Sequence, residues 1–406
     1  MLVFMVRPVP AASRALSRKA AIVGIGETDY HLDYQAARSK TPNYVPPSLE
    51  SLTTTSFERA LADSGLRRSD IDAVSVSYLY GGPTAGEAAQ LLGLEPRYKI
   101  ENIGIMAGPL QVVCAAIAAG ECNVVAMLYA VSSRSSGRQY GGHTYAEESE
   151  TPKSYYYYHP WGWSSQAAHW AMCCQDYHAT YGTGEEDLGS VAIQLRRNAS
   201  INSNAVMQAP LTMEQYLASR YIVRPLHLFD LCLVNDGGVC LIVRRADQCR
   251  DLPHTPVAVA GWGEAKVRHD KLRQLVRERL CPQLQASAAQ ALEMASLNLA
   301  DVQHFEGYDA SSMHLISQLE GCGFVEAGGG LEFCRSGQMA VGGRLPVNTA
   351  GGMLSGSYMH GWNHVVEITR QLRHEAGSRQ VRDIEVSMFS LAETDQAHPI
   401  VFMRGS

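Results

Sequence analysis

Ala21-Ile22-Val23-Gly24-Ile25-Gly26-Glu27 and Val257-Ala258-Val259-Ala260-Gly261-Trp262-Gly263-Glu264 are two short apolar runs, each punctuated by glycines and closed by a glutamate. Runs of this length and composition predict buried strands. The segments downstream of the two runs are also alike. Ala60-Leu61, Leu66 and Asp70-Ile71 align without a gap on Ala291-Leu292, Leu297 and Asp301-Val302. In both copies a helix ends, a short turn comes next, and an aspartate precedes another apolar strand. A period this long excludes a solenoid and points to one α/β unit written twice. Strands alternating with helices imply mixed sheets with helices packed on them.

The chain has 406 residues, enough for two domains or one duplicated unit. Hydrophobic residues make up 46% and charged residues 18%, the balance of a folded globule. The net charge of −6 leaves no basic field for phosphate backbones, so no nucleic-acid partner is expected. Ten cysteines lie between Cys114 and Cys334 with no C-x-x-C pair. That spacing fits neither a secreted disulfide framework nor a zinc site. It predicts buried, reduced thiols in a cytoplasmic protein with no metal. The most apolar stretch, Val112 to Val131, is broken by Gly120-Glu121-Cys122-Asn123. It predicts a buried helix and then a buried strand, not a membrane span.

The chain divides into three regions: residues 1–19, 20–250 and 251–406. Residues 1–19 carry Arg7, Arg14, Arg18 and Lys19, with no acid before Glu27. Transit peptides share that composition, but the preferred reading is an unstructured leader or tail. Residues 20–250 and 251–406 are the two α/β halves. Within the first, about residues 132–226 break the strand–helix rhythm. This stretch is rich in Ser, Gly, Tyr and Trp and contains Tyr155-Tyr156-Tyr157-Tyr158-His159-Pro160-Trp161-Gly162-Trp163. Long loops inside a compact protein are usually functional, and aromatic ones wall a large ligand or form a subunit interface. Further on, Asp236-Gly237 predicts a turn before a buried strand.

Four ordered segments carry a family resemblance. They are Val23-Gly24-Ile25-Gly26-Glu27-Thr28; Tyr181-Gly182-Thr183-Gly184-Glu185-Glu186-Asp187-Leu188 with Asn198-Ala199-Ser200; Arg224-Pro225-Leu226-His227-Leu228-Phe229-Asp230 with Asn235-Asp236-Gly237-Gly238; and Val347-Asn348-Thr349-Ala350-Gly351-Gly352. Together they resemble the thiolase superfamily, most closely its sterol-carrier-protein-X type, over roughly residues 20–405. The resemblance implies duplicated βαβαβαββ halves stacked in five layers, an inserted loop domain, and a dimer.

It also shows what has changed. Thiolases place a nucleophilic cysteine at a helix start, where the helix N-terminus lowers its pKa and an oxyanion site forms. The matching stretch here is Ile105-Met106-Ala107-Gly108, so isoleucine stands where the cysteine belongs. Cys114 lies further along the same helix and cannot substitute. The Asn-x-x-Gly-Gly signature survives as Asn348, Gly351 and Gly352, but Tyr358 stands at the position of the activating histidine, with His360 two residues on. The His-Asp-Cys-Phe signature reads Gly307-Tyr308-Asp309-Ala310, and the C-terminal catalytic cysteine has no counterpart.

Two tyrosines at or beside emptied catalytic positions resemble the thiolase-like aldolases of steroid side-chain degradation. That resemblance implies retro-aldol cleavage of a β-hydroxyacyl-CoA, in this group a 17-hydroxy steroid C22-acyl-CoA, giving a 17-keto steroid and propionyl-CoA. It implies a homodimer core within an α2β2 complex with a small zinc-ribbon and OB-fold protein. Such cleavage needs a base for the hydroxyl, a holder for the thioester enolate, and an acid for the carbanion carbon. It needs no nucleophile and no cofactor beyond the CoA of the substrate. A phenol, with a reference pKa near ~10, serves as base only when a cation or donor lowers it. His360 or His364 is placed to do so. The candidate catalytic residues are therefore Tyr308, Tyr358, His360 and Asp309, with the division of acid and base open. The candidate substrate-binding residues are Met106, Ala107, Gly108, Asn348 and Gly352, the first three as oxyanion donors. Asn348 and the glycines can instead shape their turn. Two other readings stay open: an acyltransferase using another thiol, and a non-catalytic lipid carrier or scaffold.

Overall fold

Both glycine-marked runs are strands, and the glycines explain why the sequence repeats. A Cβ on Gly24 would stand 2.5 Å from the Ala60 carbonyl, and one on Gly26 would stand 2.1 Å from that of Ser56. In the second copy a Cβ on Gly261 would meet the Ala291 carbonyl at 2.2 Å, and one on Gly263 that of Ser287 at 1.9 Å. Each half thus presses a helix backbone onto its first strand, which only glycine permits.

The computed structural model describes residues 14–78, 81–102, 104–137, 161, 165–266, 281–392 and 396–405. The first half contains β1 (Ala20–Glu27), α1 (Tyr30–Arg38), α2 (Leu49–Ser64), β2 (Ala73–Ser77), α3 (Ala85–Leu91), β3 (Tyr98–Asn102), α4 (Ala107–Ala119) and β4 (Val124–Ser132). It continues through α5 (Gln166–Tyr181), α6 (Glu185–Ser200), α7 (Met213–Leu217), β5 (Tyr221–Val223) and β6 (Leu226–His227) to β7 (Asp236–Arg245). The second half contains β8 (Val257–Trp262), β9 (Ala265–Lys266), α8 (Cys281–Ala295), β10 (His304–Gly307), α9 (Ser312–Gly321), α10 (Gly330–Arg335), α11 (Trp362–Arg373), β11 (Val386–Ser390), β12 (Gln396–Ala397) and β13 (Ile400–Arg404).

Nine strands are hydrogen-bonded in the order β10-β11-β13-β8-β1-β7-β4-β2-β3. The order mirrors itself about the β1–β8 junction. That junction is narrow, with only Ala21↔Ala258 and Ile22↔Val257 paired. The counterpart of β3 in the second half is reduced to a parallel bridge from Val347 to Phe305.

The layers arise from side-chain alternation along buried strands. On β4, Val125, Met127, Tyr129 and Val131 join the central core, while Val124, Ala126 and Leu128 join an outer one. The central core holds α4 and α11, through Leu110, Val113, Ile117, Trp362, Val365 and Ile368. α2 and α3 cover the outer face of the first half, and α8 and α9 that of the second. The result is helix, sheet, helix, sheet, helix: the duplicated five-layer architecture that the sequence implied. The Val112–Val131 stretch is the buried end of α4 and then β4, as read from its composition.

Two expectations change. The described part of the 132–226 insert is largely helical, because α5 and α6 carry apolar residues at three-to-four spacing. Their Cys174, Tyr177, Leu188, Val191 and Leu195 pack on the outer core of the second half. The Tyr155–Trp163 segment lies outside the described residues except for Trp161, which is exposed. Asp236 does not turn ahead of a strand. It pairs with Ser132 inside the β4–β7 ladder, and its buried carboxylate takes the Arg134 guanidinium at 2.8 Å.

Candidate active site

The turn from Asn348 to His360 is built from below. Asn348 adopts φ +47° and clasps the peptide of Gly307, donating to its carbonyl at 2.9 Å and accepting from its N–H at 2.8 Å. Its side-chain amide thereby holds the backbone at Gly307, so Asn348 shapes the turn. Gly352 has φ +57°, and a Cβ there would stand 2.2 Å from Asp309 Oδ2. Asp309 is fully buried and accepts the N–H groups of Met353 at 2.8 Å and Leu354 at 3.1 Å. The aspartate therefore pins the turn.

That pinning joins Tyr358 to Tyr308. Their hydroxyls are 3.5 Å apart. Tyr358 is fixed at its N–H by Asn235 Oδ1 (2.8 Å), and Tyr308 at its N–H by the Ser390 carbonyl (2.9 Å). Both side chains are mostly buried, at 5% exposure for Tyr308 and 7% for Tyr358. The Tyr358 hydroxyl is 2.6 Å from His360 Nε2. On the other side of the imidazole, Nδ1 is 2.5 Å from the hydroxyl of Tyr129, on β4. Four side chains thus form a chain: Tyr308, Tyr358, His360, Tyr129. His360 holds φ +47°, a left-handed conformation that costs a non-glycine residue roughly 1–2 kcal/mol. The surrounding packing sustains it.

His364 takes a different part from the one the sequence allowed it. It points beneath the turn, with Nδ1 2.6 Å from Glu306 Oε2 and Nε2 3.1 Å from Asp309 Oδ1. Burial alone would lower its pKa, but bonds to Asp309 and Glu306 outweigh burial and lift it to about 9. Burial would likewise raise Glu306, yet His304 and His364 hold its carboxyl down at about 2. His364 is therefore an imidazolium clamped between carboxylates.

The emptied thiolase positions are filled with apolar matter. A Cβ on Gly307 would meet Leu315 at 2.5 Å and Phe305 at 2.9 Å, so no histidine fits there without repacking. Ile105 packs against the central core. Among the neighbouring amides, Met106 N–H already donates to the His360 carbonyl (3.4 Å) and Gly108 N–H to that of Ile105 (3.2 Å). Only part of the expected oxyanion turn is therefore open to a ligand. Other thiols do not substitute. Burial, with Asp309 nearby, pushes Cys232 up to about 12, and burial raises Cys114 further. Among the described residues no group of three or more His, Cys, Asp or Glu side chains is arranged to hold a metal ion. No helix among them is long and apolar enough to cross a membrane.

Tyr129 and the Glu306 network escaped the sequence reading. Tyr129 sits in an apolar run and reads as core. His304 and Glu306 alternate onto one face of a four-residue strand, and the structure shows all four residues buried.

The duplicated halves, the glycine turn and the vacated cysteine position define a thiolase-superfamily chain, and a family described as thiolase C-terminal domain-like matches residues 265–393. The chain is 31% identical to the steroid side-chain-cleaving aldolase of Thermomonospora curvata, over 87% of this chain and 90% of that one. It is 32% identical to the 17-hydroxy-3-oxo-4-pregnene-20-carboxyl-CoA lyase of Mycobacterium tuberculosis, over 88% and 92% respectively. The solved "Ltp2-ChsH2(DUF35) aldolase" matches with a TM-score of 0.83 and 28% identity, covering 96% of this chain and 98% of that one. The chain belongs to the thiolase-fold, steroid side-chain-cleaving aldolases.

Proposed function

We propose that this chain is a carbon–carbon lyase that cleaves a β-hydroxyacyl-CoA by retro-aldol chemistry. The substrate we assign is a 17-hydroxy steroid C22-acyl-CoA, and the products are a 17-keto steroid and propionyl-CoA. The observation that carries this reading is the hydroxyl pair of Tyr308 and Tyr358, 3.5 Å apart and backed by His360, beside a cysteine position occupied by Ile105. The names of the Thermomonospora and Mycobacterium relatives agree with it.

In the reaction one tyrosine takes the substrate hydroxyl proton as it passes its own phenol proton to the group hydrogen-bonded behind it. The C–C bond breaks as the ketone forms, and its electron pair passes to the acyl thioester as an enolate. The second phenol orients or protonates that enolate, so one proton leaves oxygen and one arrives at carbon. No covalent bond to the enzyme forms, which is why isoleucine is tolerable at position 105. The backbone amide of Ala107 faces the thioester oxygen in this reading, since those of Met106 and Gly108 are already bonded. Apart from its chain neighbours and its own helix backbone, no described atom lies within 4 Å of where a Gly108 Cβ would stand, which leaves room beside that amide. Asp309, Asn348 and Gly352 hold the turn that aims Tyr358.

The assembly we assign is a homodimer core bound to a small zinc-ribbon and OB-fold protein. The matching solved aldolase carries a second component, ChsH2(DUF35), in its own name. The test is incubation of the chain, alone and with that component, with a β-hydroxyacyl-CoA steroid. Ketone and short acyl-CoA in equal amounts are expected. Absence of both products under both conditions would refute the lyase reading.

A further inference from the structure

Tyr129 lies on β4 in the first half, far in sequence from the tyrosine pair, yet its hydroxyl joins the hydrogen-bonded chain behind it. Its ring stacks on Trp362 at 5.9 Å with an interplanar angle of 7°, and meets His360 edge-on at 5.6 Å. These contacts fix the ring, so the hydroxyl has a defined position against His360 Nδ1, at 2.5 Å.

A neutral imidazole carries one proton, and the position of that proton decides what Tyr358 can do. If Nε2 carries it, His360 donates to Tyr358, and the phenol has no way to pass its own proton to the ring. If Nδ1 carries it, the Nε2 lone pair faces the Tyr358 hydroxyl at 2.6 Å, ready to accept its proton. Of the two tyrosines, Tyr358 is the one in hydrogen-bond contact with this imidazole. Tyr308 meets His314 only through a ring contact at 5.6 Å, and burial drives the His314 pKa down to about 3.

We infer that Tyr129 is a positioning residue for cleavage: its phenol oxygen accepts the Nδ1 proton of His360 and so makes Tyr358 the base. This inference rests on the lyase reading above. The proton count balances. The substrate hydroxyl proton moves to Tyr358 as the Tyr358 proton moves to His360 Nε2, giving an imidazolium whose Nδ1–H stays on Tyr129. The bond between the carbinol carbon and the acyl α-carbon breaks, and its electrons become the enolate. The proton then returns through Tyr358, or arrives from Tyr308, at the α-carbon. When it arrives from Tyr308, the relay proton reprotonates Tyr308 through the hydroxyl contact, and all four side chains end as they began. Tyr308 is thereby left as the group that holds the enolate.

Two measurements test this. The first is the 15N spectrum of histidine-labelled wild-type protein, with the His360 signals assigned by their loss in His360→Asn. Protonated Nδ1 and unprotonated Nε2 are expected, and Nε2–H in the resting enzyme would overturn the inference. The second is a kinetic cycle of Tyr129→Phe, Tyr358→Phe and the double variant, in the complex that supports turnover. Tyr129→Phe keeps the ring on Trp362, so kcat should fall roughly 10- to 100-fold with KM little changed. The double variant should be no slower than Tyr358→Phe alone, because Tyr129 acts through it. A Tyr129→Phe enzyme with wild-type kcat, beside a crippled Tyr358→Phe enzyme, would overturn the inference and leave the lyase reading standing. A fully active Tyr358→Phe enzyme would overturn both.

Discussion

The two helices of the middle layer occupy corresponding places in the two halves and could hardly differ more. In the first half, α4 has no charged side chain, and its apolar residues make a wall. In the second, α11 is buried almost throughout yet carries His364, Glu367, Arg370 and Arg373. The turn before α4 holds Ile105 where thiolases hold their nucleophile. The turn before α11 holds Tyr358 and His360. Duplication gave two equivalent turns, and their chemistry has separated: one has lost its nucleophile, while the other rests on a bed of buried ion pairs. Glu367 pairs with Arg379 at 2.9 Å, and Glu306 with His364 at 2.6 Å. Such pairs add little net stability but are costly to break, so they fix one geometry. An enzyme that keeps phenols aligned without a covalent intermediate depends on that rigidity.

The comparison can be broken most sharply at the reactive turn. Tyr358→Phe should lower kcat about 10²- to 10⁴-fold, the usual contribution of a positioned acid or base. Steady-state cleavage of the steroid thioester measures it, and binding of substrate should be retained. At the bed beneath, Glu306→Gln leaves the His364 cation with half its partners. Chemical denaturation should show a loss of roughly 3–5 kcal/mol, the scale for breaking a buried pair.

Titration of the same bed gives a smaller effect. His364 has a folded pKa raised to about 9 from 6.5. Its contribution is therefore fully present below about pH 6.5 and lost as pH rises through 9, on the order of 3 kcal/mol in all. Glu306, lowered from 4.5 to about 2, contributes above pH 4.5 and loses its contribution as pH falls toward 2. Denaturation at pH 6.5 and 9.5 should show the alkaline loss, and His364→Gln should flatten it. Beside the reactive turn, where the Cys232 N–H donates to the Ala310 carbonyl at 3.1 Å, Cys232→Ser should leave kcat within about twofold, because a thiol held protonated has no nucleophilic part to lose.

The two sides also differ in how far the sequence revealed them. The repeated glycines were legible because close approach of helix to strand leaves no other residue possible at Gly24, Gly26, Gly261 and Gly263. Ile105 and Tyr358 were legible because a fixed motif gives each position a meaning. Asp309 was a candidate for catalysis and Asn348 for substrate binding or for shaping the turn; the structure adds that Asn348 holds the backbone of Gly307 and that Asp309 holds the Met353 and Leu354 amides and His364. That outcome depends on packing between β10 and the Asn348 turn, which no local pattern encodes. Tyr129 stayed hidden for the same reason. A tyrosine on a buried strand is most often core, and its partner lies 231 positions away. The Tyr155–Trp163 segment, expected to meet sterol or a partner, falls outside the described residues except for Trp161.

Phenols in place of a thiol imply cleavage with no acyl-enzyme. A single turnover of the β-hydroxyacyl-CoA steroid by the active complex, quenched at short times, should be examined by product analysis and intact-protein mass. Ketone and short acyl-CoA are expected in equal amounts, with the chain at its unmodified mass at every time point. An acyl adduct that forms and decays at the turnover rate would contradict the account.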